Sequence, residues 1–234
     1  EMITGTGVNG RVTKKDLQHY ISSDAGSYLT PEKKQHVRPA SLNAIQGGEK
    51  VQLDHMRKMI SEHMRYSLDT SAHVYIMNEV DMTNIIKFVK EQEQSFYSKE
   101  NFRLTYTPFI ILATVNALKE MPEMNSSLEE NSIIYHNEIN MGIAVSVDGG
   151  LMVPSIFNCD EKNLLGICRD LNEVVDRTRN KNINPDKLQG STFTISNFGV
   201  FSATIGTPII NQPNVGVLGV GSIKKQPVVI ERDN

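Results

Sequence analysis

Two kinds of apolar spacing alternate along the chain after Val51. Asp54 is placed to cap a helix that carries Met56, Met59, Ile60, His63 and Met64 on one face, and such a methionine stripe is expected to pack into a core. Val74 to Val80 reads as a strand. Asp81 or Thr83 opens a helix bearing Ile85, Ile86 and Val89. Thr107 is an N-cap with Pro108 at the first helical position, and Phe109 to Glu120 is apolar nearly all round, as in a buried helix. Ile133 to His136, Ile139 to Ser146 and Leu151 to Phe157 read as strands, the last two joined by the turn Asp148-Gly149-Gly150. Asp160 is expected to cap a helix running to about Lys181, with Leu164, Leu165, Ile167, Cys168, Leu171 and Val175 inward. Asn184-Pro185 begins a short turn.

The stretch Gly190 to Gly221 organises the rest. Its β-rich run Ser191 to Ser196 alternates, with Phe193 and Ile195 on one face. A loop containing Gly and Asn leads to a second apolar run, Val215 to Val220. Ser196 and Asn197 stand where strand gives way to loop, a position from which short polar side chains reach a reacting atom. Lys225 to Asn234 reads as a strand running into a turn. Helices alternate with strands and hairpins, which predicts an α/β fold with a mixed sheet.

The pattern differs before Val51. Gly5-Thr6-Gly7-Val8-Asn9-Gly10 fits G-x-G-x-x-G, but no strand precedes it and no βαβ unit follows, so the dinucleotide reading fails. A tight glycine turn followed by a short helix fits better, with Thr13 as cap and Leu17 and Tyr20 on one face. Residues 22–50 are rich in Ser, Gly, Pro, Lys and Gln without a sustained period and read as a flexible linker.

Composition narrows the classes. The chain has 234 residues, a net charge of −3 and 39% hydrophobic residues. That supports a packed core and gives no global basic field for nucleic acid. No apolar run reaches a membrane span, and the opening residues lack a signal-peptide pattern. Cys159 and Cys168, the two cysteines, match no zinc or redox spacing and read as buried free thiols of a reducing compartment.

Three blocks at family spacing resemble the catalytic core of the dihydrolipoamide acyltransferases, the core subunits of the 2-oxo-acid dehydrogenase complexes. The pattern G-x-x-F-T-(I/V)-(S/T)-N-x-G reads here Gly190, Phe193-Thr194-Ile195-Ser196-Asn197 and Gly199. T-P-I-I-N-x-P reads Thr207-Pro208-Ile209-Ile210-Asn211 and Pro213, and the apolar strand ends Leu218-Gly219. The likeness runs from about Val51 onward. It implies a chloramphenicol-acetyltransferase-like two-layer sandwich. Residues 51–234 would then be an acyltransferase catalytic domain lacking its C-terminal part. GTGVNGRVTKKDL resembles part of the family's peripheral subunit-binding domain, so residues 1–21 would be a partial copy. Arg11, Lys14 and Lys15 would then be candidates for docking the 2-oxo-acid decarboxylase or dihydrolipoamide dehydrogenase subunit.

The resemblance also implies a chemistry. Such enzymes move an acyl group from a lipoyl group, carried on a domain absent from this chain, to the thiol of coenzyme A. A base takes the thiol proton, and a Ser or Thr at the end of the F-T-I strand donates to the oxyanion. That residue maps onto Ser196. The base would be the histidine of an H-x-x-x-D-G motif lying beyond the L-G strand. None of the six histidines is followed by an acid four residues on. His136, with Asn140 four residues later, is the nearest decoy but matches an ordinary strand, and His73 reads as structural. The chain is therefore expected to be a fragment of a multidomain protein and to be inactive alone. Ser146 stands where many relatives carry Asp. Homotrimers assembling into a cage-like core are implied, in the bacterial cytoplasm or the mitochondrial matrix. A non-catalytic scaffold of the same complex is the second reading, and a free-standing acetyltransferase of the same fold the third. The acyl group stays open: TPIINQP is reminiscent of succinyl-transferring members, and Met56 to Gly190 is closer to branched-chain and generic bacterial types.

Overall fold

The computed structural model describes residues 5–16, 18 and 49–229. The chain divides into two units, residues 1–51 and 52–234. Leu17, Tyr20, linker residues 22–48 and the end of the expected C-terminal strand, 230–234, lie outside the described residues.

In the first unit, Gly7 N–H donates to the Arg11 carbonyl and closes the glycine turn. Thr13 and Asp16 then cap a short helix reciprocally: Thr13 N–H donates to Asp16 Oδ2 (2.7 Å) and Asp16 N–H to Thr13 Oγ1 (3.4 Å). Hydrogen bonds from the Thr6 hydroxyl and the Thr13 and Thr6 amides hold the Asp16 carboxyl well below its usual range.

The second unit contains four helices and eight strands among its described residues. The helices are α1 (His55–Thr70), α2 (Thr83–Glu100), α3 (Thr107–Glu120) and α4 (Leu164–Arg179). The strands are β1 (Ser126–Glu129), β2 (Ser132–Tyr135), β3 (Met141–Ile143), β4 (Val145–Val147), β5 (Gly150–Met152), β6 (Ser155–Ile156), β7 (Phe193–Asn197) and β8 (Val217–Val220). β6, β3, β7 and β8 form one mixed sheet in that order, parallel from β3 to β8 and antiparallel between β3 and β6. β1–β2 and β4–β5 are separate antiparallel pairs.

Helices α3 and α4 meet the sheet at one core, while Val89 of α2, Leu104 and Cys168 of α4 form a second, smaller one. Ile111, Val115 and Leu118 from α3 and Ile167, Leu171 and Val174 from α4 bury against Met141, Ile143, Ile156, Phe193 and Ile195 of the sheet. Fully burying an aliphatic side chain such as Ile111 stabilises by about 1.5–3 kcal/mol. Both α3 and α4 carry their apolar residues at helical spacing, so each presents a stripe to the sheet. This is an α/β fold with a mixed sheet, as expected.

Several local expectations need correction. Val74 to Val80 forms no strand; its backbone pairs with no described segment, and Val74, Ile76 and Val80 stand 84%, 85% and 75% exposed. The methionine stripe of α1 is not core: Met56 and Met59 are exposed, and the helix meets β5 through Arg57, whose Nε donates to the Gly149 carbonyl, and Ile60. Asp54 does cap α1, accepting from Arg57 N–H. Asp160 does not cap α4. Its carboxylate accepts from Ile139 N–H, the chain first makes a tight turn over Cys159–Glu161, and Asn163 becomes the cap. Helix α3 begins at Thr107, not after it, and buries one stripe. Residues 139–146 and 151–157 each break into two short strands. Leu165 faces outward, and residues 225–229 form no strand.

Arg169 on α4 donates two hydrogen bonds to Glu100 at the end of α2, Nε to Oε2 at 2.7 Å and Nη2 to Oε1 at 2.8 Å. The guanidinium hydrogen bonds hold the Glu100 carboxyl below its usual range. Because the folded pKa is depressed, the contribution to stability is complete above the ordinary carboxyl value of about 4.3 and is lost as pH falls through the lower, folded value. Glu100→Gln should therefore be less stable than wild type at neutral pH, and the gap should shrink in acid. Denaturant titrations across that range check this; a gap that does not depend on pH would contradict it.

Candidate functional site

Strand β7 is the middle of a parallel ladder. Phe193, Thr194 and Ile195 pair with β3, and Thr194 to Asn197 pair with β8. Successive side chains alternate across a strand. Phe193 and Ile195 enter the helix-side core, whereas Thr194 faces the other way and its hydroxyl donates to Asn214 (2.7 Å). Ser196 follows Thr194 on that second face, paired in register with Gly219. It is half-buried, and its hydroxyl makes no hydrogen bond to another described residue.

The turn after Ser196 is tightly fixed. Asn197 Oδ1 accepts from Gly199 N–H (3.0 Å), its Nδ2 lies 3.5 Å from the Thr107 hydroxyl at the start of α3, and Phe198 N–H donates to the Val220 carbonyl. Gly199 is required by a close approach: a Cβ there would strike the Gly221 carbonyl. Gly221 is required in turn, because its own Cβ would strike the Thr204 carbonyl. The backbone of Gly221 is thus packed directly between those of Gly199 and Thr204.

The loop from Thr207 to Asn214 lies on the face onto which Ser196 projects. Asn214 is 1% exposed and joins loop to strand. Its Nδ2 donates to the Ser191 carbonyl (2.6 Å), while its Oδ1 accepts from the Thr194 hydroxyl and from that of Ser191 (3.3 Å). At the other end of the loop, α1 provides a clamp. Ile210 N–H donates to His73 Nε2 (3.0 Å), and the Ser67 hydroxyl donates to the Ile210 carbonyl (2.6 Å). Gln212 Nε2 donates to Ser71 Oγ (2.6 Å). His73 Nδ1 lies 2.9 Å from the Ser71 carbonyl.

His136 is committed elsewhere. Its Nε2 lies 2.7 Å from the Ser127 hydroxyl, its N–H donates to the Asn125 carbonyl, and its carbonyl accepts from Asn125 Nδ2. Cys159 and Cys168 are free and buried, and burial pushes both thiols up to about 11. Among the described residues no cluster of His, Cys, Asp and Glu could hold a metal ion, and no helix is long and apolar enough to cross a membrane. A groove of about 270 Å³ between α2 and α4 is lined by Phe88, Phe96, Leu104, Leu164, Leu165 and Cys168, with Lys99 its one charged residue. It offers no acid–base pair. The clamp of Ser67, His73 and Gln212 on the loop went unread in the sequence because its partners stand over 130 residues apart.

Comparison with known proteins agrees with this architecture. Residues 46–234 match the 2-oxoacid dehydrogenases acyltransferase (catalytic domain) family. The chain belongs to that family. It is 35% identical to the lipoamide acyltransferase component of the branched-chain alpha-keto acid dehydrogenase complex of Bacillus subtilis, covering 99% of this chain and 58% of that protein. It is 31% identical to the succinyltransferase component of the 2-oxoglutarate dehydrogenase complex of Haemophilus influenzae, covering 98% of this chain and 57% of the relative. The chain thus spans a little over half the length of these relatives. Among solved structures, a probable dihydrolipoamide acetyltransferase from Listeria monocytogenes superposes with a TM-score of 0.77 at 37% identity, covering 79% of each chain. The dihydrolipoamide acetyltransferase of Azotobacter vinelandii, in which the roles of a serine, a histidine and an asparagine in the catalytic mechanism were investigated, does so with 0.77 at 31%, covering 82% of this chain and 80% of that one.

Asn214→Ala should be among the costly polar substitutions. It leaves the Thr194 hydroxyl and the Ser191 carbonyl buried without partners. The expected loss is about 2–6 kcal/mol, from roughly 1–3 for each of the two orphaned groups. Chemical denaturation measures it; a loss within the range of an ordinary surface change would contradict the role given to the amide.

Proposed function

We propose that this chain is the core of an acyltransferase that moves an acyl group from acyl-dihydrolipoamide to the thiol of coenzyme A, with Ser196 as the oxyanion donor. The carrying observation is the unengaged Ser196 hydroxyl, held near the end of a strand paired on both sides. The sulfur of coenzyme A attacks the thioester carbonyl as its proton passes to a base. The carbonyl oxygen becomes an oxyanion, which Ser196 stabilises by donating a hydrogen bond. Collapse expels the sulfur of dihydrolipoamide, which takes up a proton. A thiol pKa of about 8.5 leaves the nucleophile mostly protonated at neutral pH, so a base is needed. We assign that base to none of the six histidines, because the sequence contains no H-x-x-x-D-G or H-x-x-x-N-G and both His73 and His136 are held in structural hydrogen bonds.

A scaffold without catalysis is the second reading. The free Ser196 hydroxyl favours the enzyme over the scaffold. We further assign residues 1–21 to subunit docking through Arg11, Lys14 and Lys15, and residues 22–50 to a linker. The second unit is assigned to a homotrimer within a larger core; a structural relative described as the cubic core of the pyruvate dehydrogenase multienzyme complex supports a multimeric core. The exposed Ile76, Val80, Leu128, Ile133 and Phe201 support association. A bacterial cytoplasm fits the relatives' sources.

Ser196→Ala in the complete protein should lower kcat by about 10²–10³ with the fold retained. Steady-state acyl transfer to coenzyme A measures it, and a loss under about threefold in folded protein would remove Ser196 from the reaction. Sedimentation of the complete protein should give an assembly larger than one subunit; a monomer at every concentration would sink the trimer.

A further inference from the structure

His73 is bonded at both ring nitrogens. Ile210 N–H is a donor, so Nε2 must offer a lone pair, and the Ser71 carbonyl is an acceptor, so Nδ1 must carry the proton. Only the neutral imidazole with its proton on Nδ1 satisfies both. Ile210 is held on its other side by the Ser67 hydroxyl, so both its backbone N–H and its carbonyl end on α1 and the residues just after it. The loop thus gripped reaches β8. Pro208 Cδ lies 3.5 Å from where a Cβ of Gly219 would stand, and Gly219 is the register partner of Ser196. The far end of the loop is fixed by Asn214 to Thr194, which shares a face of β7 with Ser196.

We propose that His73 is a positioning residue for acyl transfer: its neutral imidazole holds the Ile210 backbone and so sets Thr207–Ile210 as the wall beside Ser196. The inference rests on the reading of Ser196 given above. His73 touches no reacting atom and acts through the loop. A wall that meets substrate before and during reaction should influence KM as well as kcat, whereas Ser196 acts on kcat.

The test is steady-state kinetics of the complete enzyme with acyl-dihydrolipoamide and coenzyme A, alongside thermal melting. His73→Ala should raise KM, lower kcat, and reduce kcat/KM by roughly tenfold to a hundredfold. His73→Gln should recover most of the loss, because its Oε1 can accept from Ile210 N–H. Equal losses in the Ala and Gln variants would overturn the inference. So would a His73→Ala protein that melts like wild type and keeps kcat/KM within about twofold. Should His73→Ala fail to fold, Ser67→Ala takes its place, since it frees the other side of Ile210; the same joint change in KM and kcat supports the inference, and unchanged kinetics overturns it. Ser196→Ala is measured in parallel. Normal turnover there removes Ser196 from the reaction, and no acyl transfer by the unaltered complete protein overturns the acyltransferase reading itself; an impaired Ser196→Ala beside a normal His73→Ala overturns only the positioning role.

Discussion

The buried side-chain amide of Asn214 is the contact on which the strand carrying Ser196 depends. A polar group sealed from water costs free energy unless every hydrogen-bonding atom finds a partner. Asn214 meets that demand with the hydroxyls of Thr194 and Ser191 and the Ser191 carbonyl, all from β7 or the residues leading into it. Satisfying one amide therefore fixes a loop and a strand in a single register. Directional bonds of this kind discriminate between alternative loop placements, which apolar contact alone does poorly.

The two faces of β7 divide the labour. Toward the helices, Phe193 and Ile195 supply burial, and Asn197 reaches toward the start of α3. Toward the loop, Thr194 bonds to Asn214, and Ser196 presents the hydroxyl proposed as oxyanion donor. The alternation of the strand lets one short segment do both, because a residue's face is set by its parity and not by its neighbours' character. The close backbone contact at Gly199 and Gly221 then locks the following turn onto β8. A loop without an intervening side chain has little room to shift independently of the sheet.

Much of this was legible in the chain. The alternation around Phe193 and Ile195 marked β7, the stripe of Ile167, Leu171 and their neighbours marked α4, and Ser196 stood at a strand end by pattern alone. What failed had particular causes. Asp160 and Asn163 are both good caps, and the choice between them was made by Ile139, whose amide recruits the Asp160 carboxylate across the fold. Val74 to Val80 has the composition of a strand, but strand formation needs a partner that the sequence of the segment cannot supply. The methionine face of α1 has helical spacing whether or not anything covers it. The clamp on Ile210 joins residues far apart in the chain through backbone groups, so no side-chain pattern could announce it.

Val74 to Val80 also bears on how the molecule behaves during synthesis and storage. The segment is largely apolar and free of proline, with Glu79 as its single charge, and its backbone makes no hydrogen bond to other described residues. Exposed strips of this composition template edge-to-edge pairing between chains. A subunit that leaves this strip bare would consequently tend toward precipitates rather than toward a well-behaved solution.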